Sequence, residues 1–342
     1  MEMNPIEVFG SKDYEPFCEV DPFNQRNEVQ GFISRRSTEF YGALLITHIN
    51  GEEHSHLIMA TPKMHYPFDS REHGSRDYKF PIAKNIEIYE KLDGTNILAY
   101  FYSDGDSRFL TYKTRLRPFL SSSKFGDFNN MWREVASGYF TEIKREMERS
   151  ECNLSFELYG ARNPHLIAYP NPLDIALLFG VTNTGKILSP EQLKNPDLPI
   201  VKRLKVIDRD FTEGYESLQA GLKQEDEGYY SGVEGAVWYM HLPDGRCIQM
   251  KCKPETIEAI HFSAGAGGLS KNIILATCWN GFENANVITV ELIKQLLTEE
   301  FEPLIIEAHH YLIEKCVAFV NGEAEFRNNV VSEYKATGMN IL

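Results

Sequence analysis

Tyr89-Glu90-Lys91-Leu92-Asp93-Gly94-Thr95-Asn96 follows directly on a short strand-like run, Ile86-Glu87-Ile88-Tyr89. Strands that feed a turn normally end in Asn, Asp or Gly, and a lysine there is an ornament exposed to water. Here the lysine stands where a nucleophile could stand. An amine attacks phosphorus only when deprotonated, so it needs cations or desolvation nearby. Gly94 offers a position where backbone amides can approach a phosphate. Lys-x-Asp-Gly fixes only three positions, and a hairpin turn with an exposed lysine is the plain alternative.

Three downstream stretches change the balance: Ser155-Phe156-Glu157-Leu158-Tyr159-Gly160, Val233-Glu234-Gly235-Ala236-Val237-Trp238 and Gln249-Met250-Lys251-Cys252-Lys253. Each stands beside a strand-like run. Glu157 is flanked by apolar and aromatic neighbours, so its carboxylate needs a partner, and a buried salt bridge is the alternative to a ligand. Lys251 and Lys253 share one face by the two-residue strand period. A solvent face carrying alternate lysines is the alternative there.

With Lys91-Leu92-Asp93-Gly94, these stretches resemble motifs I, III, IV and V of the covalent nucleotidyltransferases in order and approximate spacing. That superfamily holds ATP-dependent DNA ligases, RNA ligases and mRNA capping enzymes. The resemblance covers about residues 80 to 255. It implies attack of Lys91 on the α-phosphate of ATP, giving AMP covalently bound to Lys91, then transfer of AMP to a 5′-phosphate and attack by a 3′-hydroxyl. It implies that Asp93 and Gly94 shape the turn and the phosphate approach, and that Lys251 and Lys253 contact the α-phosphate. Glu157 becomes the acceptor for a ribose hydroxyl. Glu234 becomes the ligand of Mg2+ or Mn2+, and Glu90 meets the adenine amino group. Asn96 belongs to the nucleotide site as the end of motif I.

Arg115 occupies the place of motif Ia, with Lys113 and Arg117 as alternatives. Phe179 is the candidate to stack on adenine, although Gly180-Val181 stands where the family has Asp-Ile. Phosphoryl transfer needs charge neutralisation and positioning more than acid-base work, so cations should ring Lys91.

The periodicities give an α+β chain. Strands are expected at Gly31–Ser34, Gly42–His48, His56–Ala60, Ile97–Tyr102, Arg108–Lys113, Asn153–Tyr159, Ile175–Val181 and Ile200–Val206, with a hairpin of Val233–Met240 and Arg246–Cys252. Helices are expected at Phe128–Ser150, from Ser189-Pro190, and at Phe211–Lys223. After Pro254 the pattern becomes helical: Glu255–Phe262, Val287–Glu299, Glu302–Val320 and Glu323–Ala336. The expected division is 1–254, a ligase-type nucleotidyltransferase domain of antiparallel sheets flanked by helices, and 255–342, a smaller all-helical domain. Residues 1–80 either add strands to the first or form a module of their own. The glycine-rich segment Gly265 to Gly268 lacks the lysine and preceding strand of a phosphate loop and is read as a connection.

The net charge of −14 disfavours long duplexes and favours recognition of a local end through clusters such as Lys202, Arg203 and Lys205. The six cysteines are scattered and read as reduced core residues. No run of 18 apolar residues and no basic segment ahead of an apolar run occurs, so neither a membrane span nor a signal peptide is expected, and the cytoplasm is the expected location.

A helical region after motif V, in place of an OB-fold domain, is the arrangement of RNA ligases, and Thr95-Asn96 resembles the ending of motif I in phage and editing-type members. Those commonly carry His where this chain has Asp93. The expected partner is RNA with 5′-phosphate and 3′-hydroxyl ends; a homodimer or an end-healing enzyme stays open. A DNA ligase, a GTP-using capping-type enzyme and a non-catalytic nucleotide- or RNA-binding protein are the alternatives.

Overall fold

A computed structural model of the chain describes residues 3–36, 38–70, 76–123, 126–163, 165, 167, 169–193, 195–204, 211–222, 234–253, 269, 271–299, 301 and 303–337. Val233, Lys205, the helix expected at Glu255–Phe262 and the segment Gly265 to Gly268 lie outside them. So does the division expected at 254. Contacts separate the chain into Met1–Glu258 and Ala259–Leu342.

The first unit opens with α1 (Pro5–Phe9) and an antiparallel sheet of β1 (Tyr14–Val20), β2 (Glu28–Ser34), β3 (Leu44–Ile49) and β4 (Glu52–Ile58). A small hairpin, β5 (Phe68–Ser70) and β6 (Arg76–Tyr78), leads to β7 (Asn85–Lys91). Next come β8 (Thr95–Asp104), β9 (Ser107–Lys113) and the two-residue pair β10 (Ser122–Ser123) and β11 (Gly126–Asp127). Two helices follow, α2 (Phe128–Ala136) and α3 (Phe140–Ser150), then β12 (Cys152–Tyr159), β13 (Asp174–Thr182), β14 (Ile187–Leu188), α4 (Pro190–Leu193), α5 (Phe211–Gly221), β15 (Gly235–His241) and β16 (Cys247–Cys252).

Two antiparallel sheets carry what matters for the site. One runs β14-β13-β12-β8-β9, the other β16-β15-β7. Alternation along β12 explains the layering: Leu154, Phe156 and Leu158 enter a core with Trp132, Ile143 and Met147 of α2 and α3. The opposite faces of β7 and β15 divide likewise. Ile86, Ile88, Ala236, Trp238 and Met240 pack with Tyr215 of α5, while Tyr89, Val237 and Tyr239 share a core with Phe179, Ala176 and Val181 of β13. The N-terminal sheet shares a core with Tyr100, Tyr102 and Phe119 through Val29, Ile33, Leu44 and Ile46.

Three expectations need correction. The single helix over Phe128–Ser150 is two, separated by a 3-10 turn at Ser137–Tyr139; Gly138 there weakens the helix. Ile200–Val206 forms no strand over its described residues. Residues 199–204 instead stitch the two sheets together: Leu177 N–H donates to Pro199 O (2.6 Å), Val201 N–H to Leu177 O (3.1 Å), Glu90 N–H to Lys202 O (2.9 Å) and Leu204 N–H to Ile88 O (2.7 Å). The two helices expected over 302–336 fall instead as a short α8 (Pro303–Ala308) and a long α9 (His310–Thr337), the latter running through Gly322. An interior glycine costs about 1 kcal/mol, which a long helix absorbs.

The second unit's described elements are α6 (Lys271–Gly281), which the sequence reading did not anticipate, α7 (Val290–Leu297), α8 and α9. Thr289 caps α7, accepting from Leu292 N–H at 3.1 Å. Ile274, Cys278, Ile293, Leu297, Ile313 and Val320 form its core. Among the described residues no helix is long and apolar enough to cross a membrane.

Candidate active site

Lys91 ends β7, and Leu92-Asp93-Gly94 carries the chain from one sheet to the other, where Thr95 begins β8. The crossing is flush with the end of β12. A Cβ on Gly94 would lie 2.3 Å from Leu158 O, far inside contact distance. Glycine is therefore required here for close packing of backbone on backbone, a role different from the phosphate approach expected of it.

β15 lies between β7 and β16, and Gly235 stands opposite Lys91. A Cβ on Gly235 would meet Cys252 O at 2.2 Å and Lys253 Cα at 3.2 Å. This narrow crossing puts Glu234, one residue earlier, between the two lysines. Lys91 Nζ donates to Glu234 Oε2, and Lys253 Nζ stands 3.1 Å from Glu234 Oε1. The three side chains are 18%, 7% and 5% exposed for Lys91, Glu234 and Lys253. Burial alone would raise the Glu234 pKa, but the two lysines outweigh it and hold the carboxyl down to about 2.

Glu157, on β12 beside Asn96 of β8, is buried. Desolvation pushes it up to about 8, with Lys91 pulling the other way and Glu234 adding to the rise. In the folded protein it is therefore largely a neutral acid at pH 7. The sign for stability follows. A raised carboxyl pKa leaves the native state with the extra proton, so stability falls as pH rises from the ordinary 4.5 to about 8. Glu157→Gln should remove that loss. Urea midpoints of variant and wild type should converge at pH 4 and separate in the variant's favour by pH 8.5. Equal differences at both pH values would contradict the assignment.

Asp93 holds a loop. Its N–H donates to Tyr169 Oη at 2.8 Å, and its Oδ2 accepts from Ile167 N–H at 2.6 Å. Burial, then Glu234, raise its pKa against His165, the Ile167 amide and Lys91. Asn163 ties the same loop down, donating to Leu158 O at 2.8 Å. His165 Nε2 lies 3.3 Å from Thr95 Oγ1 and bears electrostatically on both Asp93 and Glu157. The sequence reading missed His165, Asn163 and Tyr169. Their contacts with Asp93, Thr95 and Leu158 depend on loop closure, and the only signal was position just after the Glu157 strand.

Lys251 is buried and lies over the ring of Tyr66, 4.4 Å from its centroid, a cation–π contact. Its N–H donates to His65 O at 3.0 Å. α5 supports the strand from behind: Tyr215 Oη donates to Lys251 O (3.2 Å) and Gln219 Nε2 to Lys253 O (2.8 Å).

An apolar cleft opens between β13 and the β7-β15-β16 sheet, next to this cluster. Glu90, Lys91, Glu157, Phe179, Val237 and Gln249 are among its lining residues. Burial raises the Glu90 pKa, with Lys202 opposing. Phe179 of β13 lines the cleft. Asn96 is engaged within the fold: Nδ2 donates to Ser155 Oγ (2.8 Å) and Phe156 O (3.1 Å), and Oδ1 accepts from Thr61 Oγ1 (2.7 Å). It knits β8 to β12. Arg115 lies over Tyr41, 5.4 Å from the ring centroid. Its neighbour Lys113 is wholly buried and donates to three carbonyls, Gly42 O, Thr114 O and Arg115 O, at 2.8–3.0 Å. Burial, then Arg35 and Arg115, push its pKa well down. Lys113 is a structural clasp.

Glu234 suits a divalent cation only in part. Both its oxygens already serve lysines. Among the described residues, the one set of three acids or histidines with ligand atoms within 4.8 Å of one another is Glu52, His54 and Asp104, at the other end of β8 from Thr95. A hard cation beside Lys91 would therefore use Glu234 with nucleotide phosphates and water, a sparse protein contribution that Mg2+ tolerates.

No family model matches the sequence, and no curated protein does. Among solved structures, an RNA ligase mutant from Naegleria gruberi with ATP and Mn is 16% identical, with 52% of each chain covered and a TM-score of 0.36. The same organism's RNA ligase with PPi is 12% identical, covering 73% of this chain and 98% of that one, at a TM-score of 0.37. These are what the chain is similar to. The chain spans about half the length of the first of them. At these scores the likeness carries no weight of its own, and the function rests on the site.

Proposed function

We propose that the chain is an ATP-dependent RNA ligase working through a lysyl-adenylate on Lys91. One observation carries it: Lys91, half-buried, joins the buried Glu234 and Lys253 in a single cluster, and Lys91 and Glu157 both line the adjoining apolar cleft. A simple structural ion pair would not need a second buried lysine, nor an adjoining slot with a neutral carboxylic acid at its edge.

In this reaction Lys91 Nζ attacks the α-phosphorus, an N–P bond forms, the amine loses a proton and pyrophosphate leaves. AMP then passes to the 5′-phosphate of RNA, regenerating the amine. A 3′-hydroxyl finally displaces AMP and loses its proton as the phosphodiester forms. Glu234 has to release Lys91 before attack, because an ammonium engaged by a carboxylate has no lone pair to offer. Lys253 and Lys251 supply positive charge for the phosphates. Protonated Glu157 can donate to, as well as accept from, a ribose hydroxyl. A bound Mg2+ or Mn2+ would add charge neutralisation at the phosphates, with Glu234 as its protein ligand. RNA as the polynucleotide is supported by the helical segments that follow the catalytic strands.

The test is covalent labelling. ATP carrying label at the α-phosphorus, with Mg2+ or Mn2+, should leave label on the denatured protein; label at the γ-phosphorus should not. The bond should break in acid and survive alkali, as a phosphoramidate does. No label under any nucleotide and metal would refute the proposal.

A further inference from the structure

Gln249 is the cleft-lining residue that the chemistry above leaves without a task. It stands on β16 opposite Tyr239 and is 7% exposed. Both side-chain atoms, Nε2 and Oε1, are shielded from water and make no hydrogen bond. Burial pushes the Tyr239 phenol well up, and the Gln249 amide comes near enough to its oxygen to oppose that in part, but it makes no hydrogen bond of normal geometry there; the Tyr239 hydroxyl donates to Leu178 O at 2.9 Å. Buried polar groups are nearly always paired, because each unmet donor or acceptor costs about 1–3 kcal/mol. An orphaned amide on the wall of a slot calls for an explanation outside the packing of the sheet.

Position supplies one. Gln249, Lys251 and Lys253 alternate along β16 and face the same side. Lys253 touches Glu234 and so marks the phosphate end. Gln249 lies about 7 Å beyond Lys251 and about 13 Å beyond Lys253 along the strand, at roughly 3.3 Å per residue, comparable with the span of a nucleoside monophosphate. Phe179 and Val237 also line the slot and offer apolar surface but no hydrogen bonds. A planar amide presents one donor and one acceptor side by side, which matches adenine, whose N1 accepts and whose 6-amino group donates.

We propose that Gln249 reads the Watson–Crick edge of the adenine, Nε2 donating to N1 and Oε1 accepting from the 6-amino group. The inference rests on a nucleotide occupying the cleft, as proposed above. It makes Gln249 a specificity residue whose unmet polarity in the free protein is a cost accepted for ligand recognition.

Titration calorimetry with ATP and with purine riboside 5′-triphosphate, which lacks the 6-amino group, tests it on wild type and Gln249→Met. Wild type should bind ATP about 10- to 100-fold more tightly than the analogue, the range for one or two hydrogen bonds to a buried edge. Gln249→Met, which loses the contact with N1 as well, should bind ATP no more tightly than wild type binds the analogue and no longer distinguish the two. The same variant, free of nucleotide, should melt at the wild-type temperature or about 2–4 °C higher, because an orphaned polar group has gone. Equal affinity of wild type for both nucleotides, or full discrimination surviving in Gln249→Met, would overturn the inference. Covalent labelling, run in parallel, reports separately on the ligase proposal. Discriminating binding without label would sink the ligase and keep the reader, whereas label without discrimination would do the reverse.

Discussion

Replacing Lys91 by alanine should abolish covalent labelling while leaving a folded protein. The nitrogen that would carry AMP is gone, and neither Lys253 nor Lys251 is placed to substitute. Lys253 is committed to the other oxygen of Glu234, and Lys251 sits over Tyr66. The structural cost is bounded. Glu234 keeps Lys253, so its charge is not left wholly uncompensated, and Lys91 is itself 18% exposed. A loss of about 1–3 kcal/mol is expected, below the roughly 3–5 kcal/mol of breaking a fully buried pair. The Glu234 pKa should rise from about 2 toward ordinary values, because one of the two opposing charges has gone.

Lys91→Arg separates chemistry from structure. It restores a cation to Glu234, yet guanidinium cannot be deprotonated for attack. It should also fail to label, with stability nearer wild type. Joining of RNA supplied already adenylated at its 5′ end should survive in Lys91→Ala, since that step needs no lysine nucleophile. Labelling of Lys91→Ala at even a few per cent of wild type would place the nucleophile elsewhere.

How much of this was legible beforehand follows from what strand periodicity can and cannot say. Lys91, Glu157, Glu234 and Lys253 each stand in or beside a strand, and alternation assigns a face to each. Their meeting also requires that β15 pair with both β7 and β16, which the spacing of the hairpin made plain for one side only. Depth and partner are beyond periodicity. Asn96, expected at the nucleotide site, and Lys113, an alternative to Arg115, are also engaged in the scaffold, one by knitting β8 to β12, the other through three carbonyls. Conversely, Gln249 and His165 carried no sequence signal. A glutamine in a strand normally faces water, and a histidine in a loop normally stands alone. The strap at 199–204 read as a strand because Ile200 and Val201 are β-branched, but its hydrogen bonds go to two different sheets.

Glu234→Gln should be the most damaging substitution after loss of Lys91 itself. Two effects oppose each other. Removing the carboxylate frees Lys91 from the group that engages it, which favours attack. It also leaves Lys91 and Lys253 facing a neutral amide, with no anion between them and, for Lys253, 5% exposure to water. Breaking a buried pair by removing one partner costs about 3–5 kcal/mol, and displacing the nucleophile by even 1 Å can cost about 100-fold in rate. The side chain proposed to hold a metal is lost at the same stroke. The unfavourable terms are larger, so labelling should slow by at least about 100-fold and the melting temperature should drop. ATP offers a check on the cause. Its phosphates can supply the missing negative charge between the lysines, so ATP should raise the melting temperature of Glu234→Gln by more than it raises that of wild type. A labelling rate within about threefold of wild type would mean that Glu234 is a structural counter-ion with no part in the chemistry. A smaller ATP shift in the variant than in wild type would mean instead that it acts through the metal, with the two lysines indifferent to its charge.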